Sequence, residues 1–276
     1  MTSPILGNEL TSEHALDLLR REKAVLRRLH TIYTEARLVV LGRLADVSAE
    51  TFTAQHLRAT SAQIDAGIWA MIKKLQLETE GRLSEALEAG VEQTLAEIEF
   101  WDAKFREGAT TRIATDALVR ITEPGSLLLE KFTASLNSFG QSLVADTRRR
   151  LALHLTMQSN WREMSEDIAG KLEQSMITGA RWKAERIVRT EMVDALNAGH
   201  QAAIEEAEVV IPGLKRQWDS TLDERTSDVC RYLHGRVVGI HEPWHWEGRE
   251  IFRPPAIPNC RATVLAFHDD WVGDEG

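Results

Sequence analysis

The chain has 276 residues, of which 43% are hydrophobic and 27% charged, and its formal net charge is −9. These are the values of a globular protein of one or two domains and not of a disordered chain. The acidic balance argues against general DNA binding, which needs a net positive face; the two cysteines, Cys230 and Cys260, are too few for a disulfide scaffold and fit a reducing compartment.

The first ten residues have neither a basic start nor an apolar stretch, so no signal peptide is expected. No apolar run approaches the roughly 18 residues of a membrane span. Between Pro4 and Pro212 only Pro124 intervenes, and proline breaks helix interiors, so this stretch is free to be mostly helix. Residues 12 to 45 carry a seven-residue stripe of Leu18, Val25, Ile32 and Val39, with Leu29 and Ala36 between them. Thr11 or Ser12 can cap it. A second helix is predicted from about Ser61 to Phe105, striped by Ile64, Ile68, Met71 and Leu75 and then by Leu83, Leu87, Val91, Leu95 and Ile98. Gly81 is a candidate kink and Gly108 a candidate stop. A third helix follows the Glu123-Pro124-Gly125 turn, with Leu128, Phe132, Leu136, Phe139 and Leu143 on its buried face. A fourth covers about Trp161 to Gly179 and a fifth about Arg181 to Ala207. Such stripes exist to be buried, either in a bundle or as an extended arm lying on a partner. Arg148, Arg149 and Arg150 read either as a solvated helix end or as a local basic patch for DNA.

After Pro212-Gly213 the texture changes. Lys215 to Ser220 reads as a strand, and Asp223 to Leu233 as a short helix with Asp223 at its N-cap. Arg236 to Ile240 and Glu250 to Arg253 read as strands, followed by a proline-rich loop and a last strand over Ala262 to Phe267. The predicted fold is mainly α: a long-helix region over residues 1–183, then a small α+β domain over residues 184–276. Trp218, Trp244, Trp246 and Trp271 crowd this end, and Trp244-His245-Trp246 reads as a loop that is either packed or offered to a partner.

Three groups of residues stand in order along this region. The first is Arg186-Ile187-Val188-Arg189-Thr190-Glu191, then Asn197-Ala198-Gly199. The second is Trp218-Asp219-Ser220, then Asp223-Glu224-Arg225-Thr226, Cys230 and His234-Gly235. The third is Pro254-Pro255, then Pro258-Asn259-Cys260-Arg261. In this order and spacing they resemble the phage head morphogenesis family typified by the F protein of phage Mu, over about residues 184 to 265. The resemblance implies a minor head (capsid) protein of a tailed phage that acts in head assembly near the portal. It places the protein inside the capsid of the virion, and in the host cytoplasm during assembly. The partners it implies are portal, major capsid or scaffolding protein; packaged DNA and self-association are further candidates. The chain departs from the family where the closing loop often reads His-Pro-Asn-Cys-Arg-Cys: Ile257 stands at the His position and Ala262 at the second Cys.

The same residues also have a physical reading. Arg186, Thr190 and Asn197 fall on one helix face that can bond to the following strands, a face Arg189 and Glu191 do not share. Asp223, Arg225 and Thr226 suit a buried turn network. Gly235 suits a left-handed backbone after the short helix, and Pro254, Pro255 and Pro258 stiffen the loop that presents Cys260. Cys230 and His234, four apart on a helix, can face one ion; with Cys260, and with His241 or His245 as a fourth ligand, they make a candidate zinc site. The alternatives are a buried pair of free thiols, or a disulfide formed after lysis and dispensable for assembly. No HExxH, GxSxG or P-loop spacing occurs, so the chain reads as a structural protein and not an enzyme. A metal-dependent hydrolase and a DNA-associated protein aiding packaging or ejection are the competing readings.

Overall fold

A computed structural model describes residues 9–45, 54–105, 122–156 and 181–272. The protein is mainly helical, with long helices first and a small strand-bearing region after them. Four long helices are seen among the described residues: α1 (Glu9–Ala45), α2 (Ala54–Phe105), α3 (Thr122–Thr156) and α4 (Arg181–Glu208). Gly81 does not interrupt α2. Helix α3 begins ahead of Pro124, because the missing proline N–H has no intrahelical partner in a first turn anyway. Gly108 and the predicted Trp161 to Gly179 helix lie outside the described residues.

The described residues form two compact units, one drawn from Lys23–Glu80 and Lys131–Val188, the other from Met1–Glu22, Gly81–Glu130 and Arg189–Gly276. The described residues of the first are all helical. The predicted stripes supply its core: Val25, Leu29, Ile32, Ile64, Ile68, Met71, Leu75, Phe132, Leu136, Phe139 and Leu143 are buried, joined by Tyr33 and Ile72. Val39, by contrast, is 54% exposed; a straight helix turns a seven-residue stripe by about 20° per heptad, which carries it off the core face. Arg148 is tied to the buried Asp65, its Nε 3.0 Å from Oδ2. That carboxylate takes up the charge of the first arginine in the predicted basic patch, while Arg149 stays exposed.

The second unit carries the strands. Strand β1 (Lys215–Ser220) is the centre of an antiparallel sheet, with β2 (Val237–Gly239) on one edge and β5 (Ala262–Phe267) on the other. β1 and β5 pair along their whole lengths, from Lys215 opposite Phe267 to Ser220 opposite Ala262. Between β1 and β2 lies the short helix α5 (Asp228–Leu233). A separate hairpin joins β3 (Trp244–Trp246) to β4 (Arg249–Ile251). Its turn residues Glu247 and Gly248 have φ of 47° and 76°, the left-handed pair that a two-residue hairpin turn requires. Trp244-His245-Trp246 is therefore a strand and not a loop. Glutamate is a poor marker for such a turn, so the sequence conceals it.

One hydrophobic core runs through this unit. It contains Trp218, Trp244, Trp271, Val264 and Phe267 from the strand region, Ile204 and Ala207 from α4, and Ile98 and Trp101 from α2. Helices α2 and α4 approach backbone to backbone: a Cβ on Gly90 would lie 2.1 Å from the Leu196 carbonyl oxygen, and one on Gly199 would lie 2.1 Å from that of Leu87. This gives Gly199 a steric role. No described helix is long and apolar enough to cross a membrane.

Gly199→Leu is expected to destabilise the protein by about 3 kcal/mol in chemical denaturation, because the obstructing atoms are backbone and cannot move aside. Gly81→Ala, with open space around it, should be neutral or gain about 0.5–1 kcal/mol from helix propensity. Equal effects at the two sites would contradict the close helix contact.

Candidate functional site

The three groups of motif residues converge in the strand-bearing unit, apart from Arg186, Ile187 and Val188. The Arg186 side chain stacks on Trp182, its guanidinium carbon 4.8 Å from the ring centroid, and belongs to the helical unit. Asn197, fully buried in α4, holds the edge of the sheet. Its Nδ2 donates to the carbonyls of Val193 (2.8 Å) and Ala262 (3.2 Å), and its Oδ1 accepts from Val264 N–H at 2.8 Å. One carboxamide thus satisfies two of the backbone groups that β5 turns toward α4. His200 lies one turn on, its Nδ1 2.9 Å from the Val264 carbonyl, a contact that calls for the Nδ1-protonated ring. Thr190 Oγ1 accepts from Asn259 N–H at 3.2 Å, and Arg253 Nε donates to Asp194 at 2.9 Å. Glu191 is buried and Arg189 half-buried. Helix α4 therefore grips both β5 and the proline-rich loop.

The turn after β1 is built on Asp223. Its Oδ1 accepts from Arg225 N–H (2.9 Å) and from Arg261 Nη2 (2.6 Å), while its own N–H donates to Thr226 Oγ1 (2.9 Å). An aspartate that bonds the backbone two residues on forms a turn in preference to a helix. That is why α5 starts at Asp228, with Ser227 as N-cap and no side-chain cap bond, and not at Asp223 as predicted. The ion-pair partner also differs: Arg225 is 83% exposed and 4.0 Å from Asp223, whereas Arg261, reaching across from the closing loop, makes the close contact. The Arg261 guanidinium holds the Asp223 carboxyl well below its ordinary range. Gly235 has φ of 75° and donates its N–H to the Trp218 carbonyl at 2.8 Å. Trp218, fully buried, donates its indole N–H to Ser220 Oγ, which donates in turn to the Cys230 carbonyl, both at 2.9 Å.

The closing loop contains a cis peptide between Pro254 and Pro255 and turns at Asn259, whose φ is 63°. Asparagine is among the few residues that adopt this left-handed conformation readily; with Pro258 before it, the turn brings Cys260 inward. Cys260 Sγ lies 3.1 Å from Cys230 Sγ, and both residues are buried. Thr226, Ser227, Asn259 and the two cysteines line a cleft of about 90 Å³.

Of the predicted zinc ligands only Cys230 and Cys260 come together. Two thiolates around one zinc ion stand about 3.5–4 Å apart, farther than this pair. His234 is occupied elsewhere: its Nδ1 accepts from Ser220 N–H at 3.1 Å and lies 3.4 Å from Asp219 Oδ1. His241 and His245 are exposed. Among the described residues no group of three His, Cys, Asp or Glu side chains is placed to hold a metal ion.

Sequence reasoning missed Arg216, which is 2% exposed at the centre of β1. Its guanidinium donates to Gln201 Oε1 at 2.7 Å and to the carbonyls of Gly239, Glu242 and Phe252, and it lies over the Trp244 ring at 4.6 Å. Burial lowers its pKa to about 10, so it stays charged at neutral pH. The only available signal was period two, which places Arg216 on the same strand face as Trp218. An arginine in an alternating strand is normally assigned to solvent. Trp244 and Trp246 also resolve: Trp244 is 1% exposed and meets Trp218 edge-on at 5.2 Å, while Trp246 is half-buried against Tyr232 at 4.7 Å.

Arg216→Met is expected to cost at least about 3 kcal/mol in denaturant unfolding, because it leaves several buried acceptors without a donor; a loss close to zero would contradict the hub. For Asp223 the folded carboxyl pKa is depressed, so its contribution is present above the ordinary value of 3.8 and is lost as pH falls through the folded value below it. Wild type should therefore exceed Asp223→Asn in stability at pH 7, with the gap closing between pH values near 4 and the strongly acid range. A gap independent of pH would remove the ion pair from the account.

No curated protein and no solved structure matches the chain. The comparison that does succeed covers the region in which these motif residues converge: residues 162–265, the C-terminal part of the chain, match the family described as Phage Mu protein F like protein.

Proposed function

We propose that the protein is a minor head protein of a tailed phage, a structural component acting in head assembly near the portal and inside the capsid. The observation that carries this reading is the family match over residues 162–265. The geometry supports it in kind. Asn197, Thr190, Asp223, Thr226 and Arg261 spend their polar groups on one another and on backbone, holding α4, the Asp223 turn and the closing loop as one body. That is how a docking module is stabilised. It leaves the rim of the unit, including the exposed Tyr232 and Phe252, to meet a portal, capsid or scaffolding protein. The helical unit, whose stripes close on one another, serves as a second body for such contacts. In this reading the protein assembles in the host cytoplasm and is carried into the virion, and no catalytic step is assigned to it.

The test is co-expression of the tagged full chain with its neighbouring head genes, followed by purification and mass spectrometry. Portal, scaffolding or major capsid protein is expected to co-purify through moderate salt. Recovery of nucleic acid alone, lost as salt rises, would overturn the assembly role in favour of DNA association.

A further inference from the structure

The cysteine pair sits where the proposed assembly role makes no use of it. Its two sulfurs lie 3.1 Å apart in a hydrogen bond, on separate segments: Cys230 in the first turn of α5, Cys260 at the end of the closing loop. Their surroundings differ. The Sγ–Sγ contact is a hydrogen bond that either sulfur can donate; with Cys230 donating, and with the backbone N–H groups of Ala262, Ala256 and Ile257 in the neighbourhood, Cys260 is the better-supported thiolate. Such donors stabilise a thiolate, and they pull Cys260 below the ordinary thiol range, the Cys230 hydrogen bond first. Cys230, as the donor in a buried position, is pushed up and keeps its proton. Both residues border the cleft that Thr226, Ser227 and Asn259 complete. The cleft gives small molecules a route to the sulfurs.

We propose that Cys260 and Cys230 form a peroxide-reactive dithiol site, with Cys260 as the attacking sulfur and Cys230 as the resolving one. The Cys260 thiolate attacks one oxygen of hydrogen peroxide. The O–O bond breaks, an S–O bond forms, the sulfur is oxidised by two electrons, and the departing hydroxide takes a proton to leave as water. The Cys230 sulfur then attacks the Cys260 sulfenic acid. An S–S bond forms, the S–O bond breaks, and the Cys230 proton leaves with the hydroxyl as a second water. The sum is two thiols and one peroxide giving one disulfide and two waters. The sulfurs need to close from 3.1 Å to a bond of about 2.05 Å, a movement within side-chain reach. The product ties α5 covalently to the closing loop that already contacts α4 through Asn259 and Thr190.

The experiment uses the reduced full chain in its folded state. It is exposed to hydrogen peroxide, quenched by alkylation in denaturant, and read by mass spectrometry. The expected product has lost two hydrogens and yields a Cys230–Cys260 cross-linked peptide within one chain. Two unchanged thiols, a cross-link between two copies, or a Cys260 that runs on to sulfinic acid would each overturn the proposal. Order of attack is read from Cys230→Ser, which keeps a hydroxyl donor beside Cys260, and Cys260→Ser, both checked for native circular dichroism. A sulfenic-acid probe should label Cys260 in the first variant more than about tenfold faster than Cys230 in the second, following their thiolate fractions. The rate at Cys260 should rise with pH and level off below the pH at which an unperturbed thiol does. Equal labelling, or the reverse order, would overturn the assignment of roles. Because the wild-type cross-link is read separately, a variant that fails to fold does not spare the proposal.

Discussion

A guanidinium keeps its charge at any pH this protein meets, so burying Arg216 obliges the surrounding backbone to come to it. Glu242 and Phe252 turn their carbonyls inward, β2 brings up Gly239, α4 supplies Gln201, and the face of Trp244 closes the site. These acceptors come from three separate stretches of chain, and short strands such as β2, β3 and β4 have few ladder bonds to place them otherwise. A charge in a low-dielectric interior is costly unless every donor is used. That cost turns a loosely connected set of loops into one arrangement, and the surrounding tryptophans pack on it.

The helical part of the fold is legible because it follows one rule. An apolar residue every three or four positions is buried, and Ile64 through Leu75 or Phe132 through Leu143 obey it without exception. The longest strand pair was legible for a related reason, since Lys215–Ser220 and Ala262–Phe267 are bounded by proline, glycine and polar turns. What could not be read depends on partners far along the chain. The Asp223 turn looks like a helix start until Arg261 is known to face it. Gly199 looks like one more glycine until Gly90 stands opposite. His234 looks like a ligand until the Ser220 N–H claims its ring nitrogen. In each case the local residues permit two outcomes, and a tertiary contact selects one.

The motif residues also divide by what they do. Asn197, Thr190 and Gly199 shape the seat for β5 and the closing loop. Asp223, Thr226 and Arg261 close the turn that faces that loop. Pro258 and Asn259 aim Cys260. These polar residues are tied to one another and to backbone, and the two sulfurs they bring together stand outside that network. Ala262, the buried first residue of β5, borders the same cleft as the two cysteines. A small apolar side chain there leaves the Cys230–Cys260 contact without a competing thiol.

The meeting of Gly90 with Gly199 has a consequence for the order in which the molecule is completed. The two glycines lie far apart in the chain, and the helices meet there backbone to backbone, with the His200 ring beside Gly90. During synthesis α2 leaves the ribosome long before α4 exists, with Ile98 and Trp101 waiting for a core that α4 and the strands have yet to deliver. Closing so long a loop is slow compared with forming either helix. The nascent chain therefore passes through a stage with finished helices and an open apolar seam, which α4 and the strands seal once they follow.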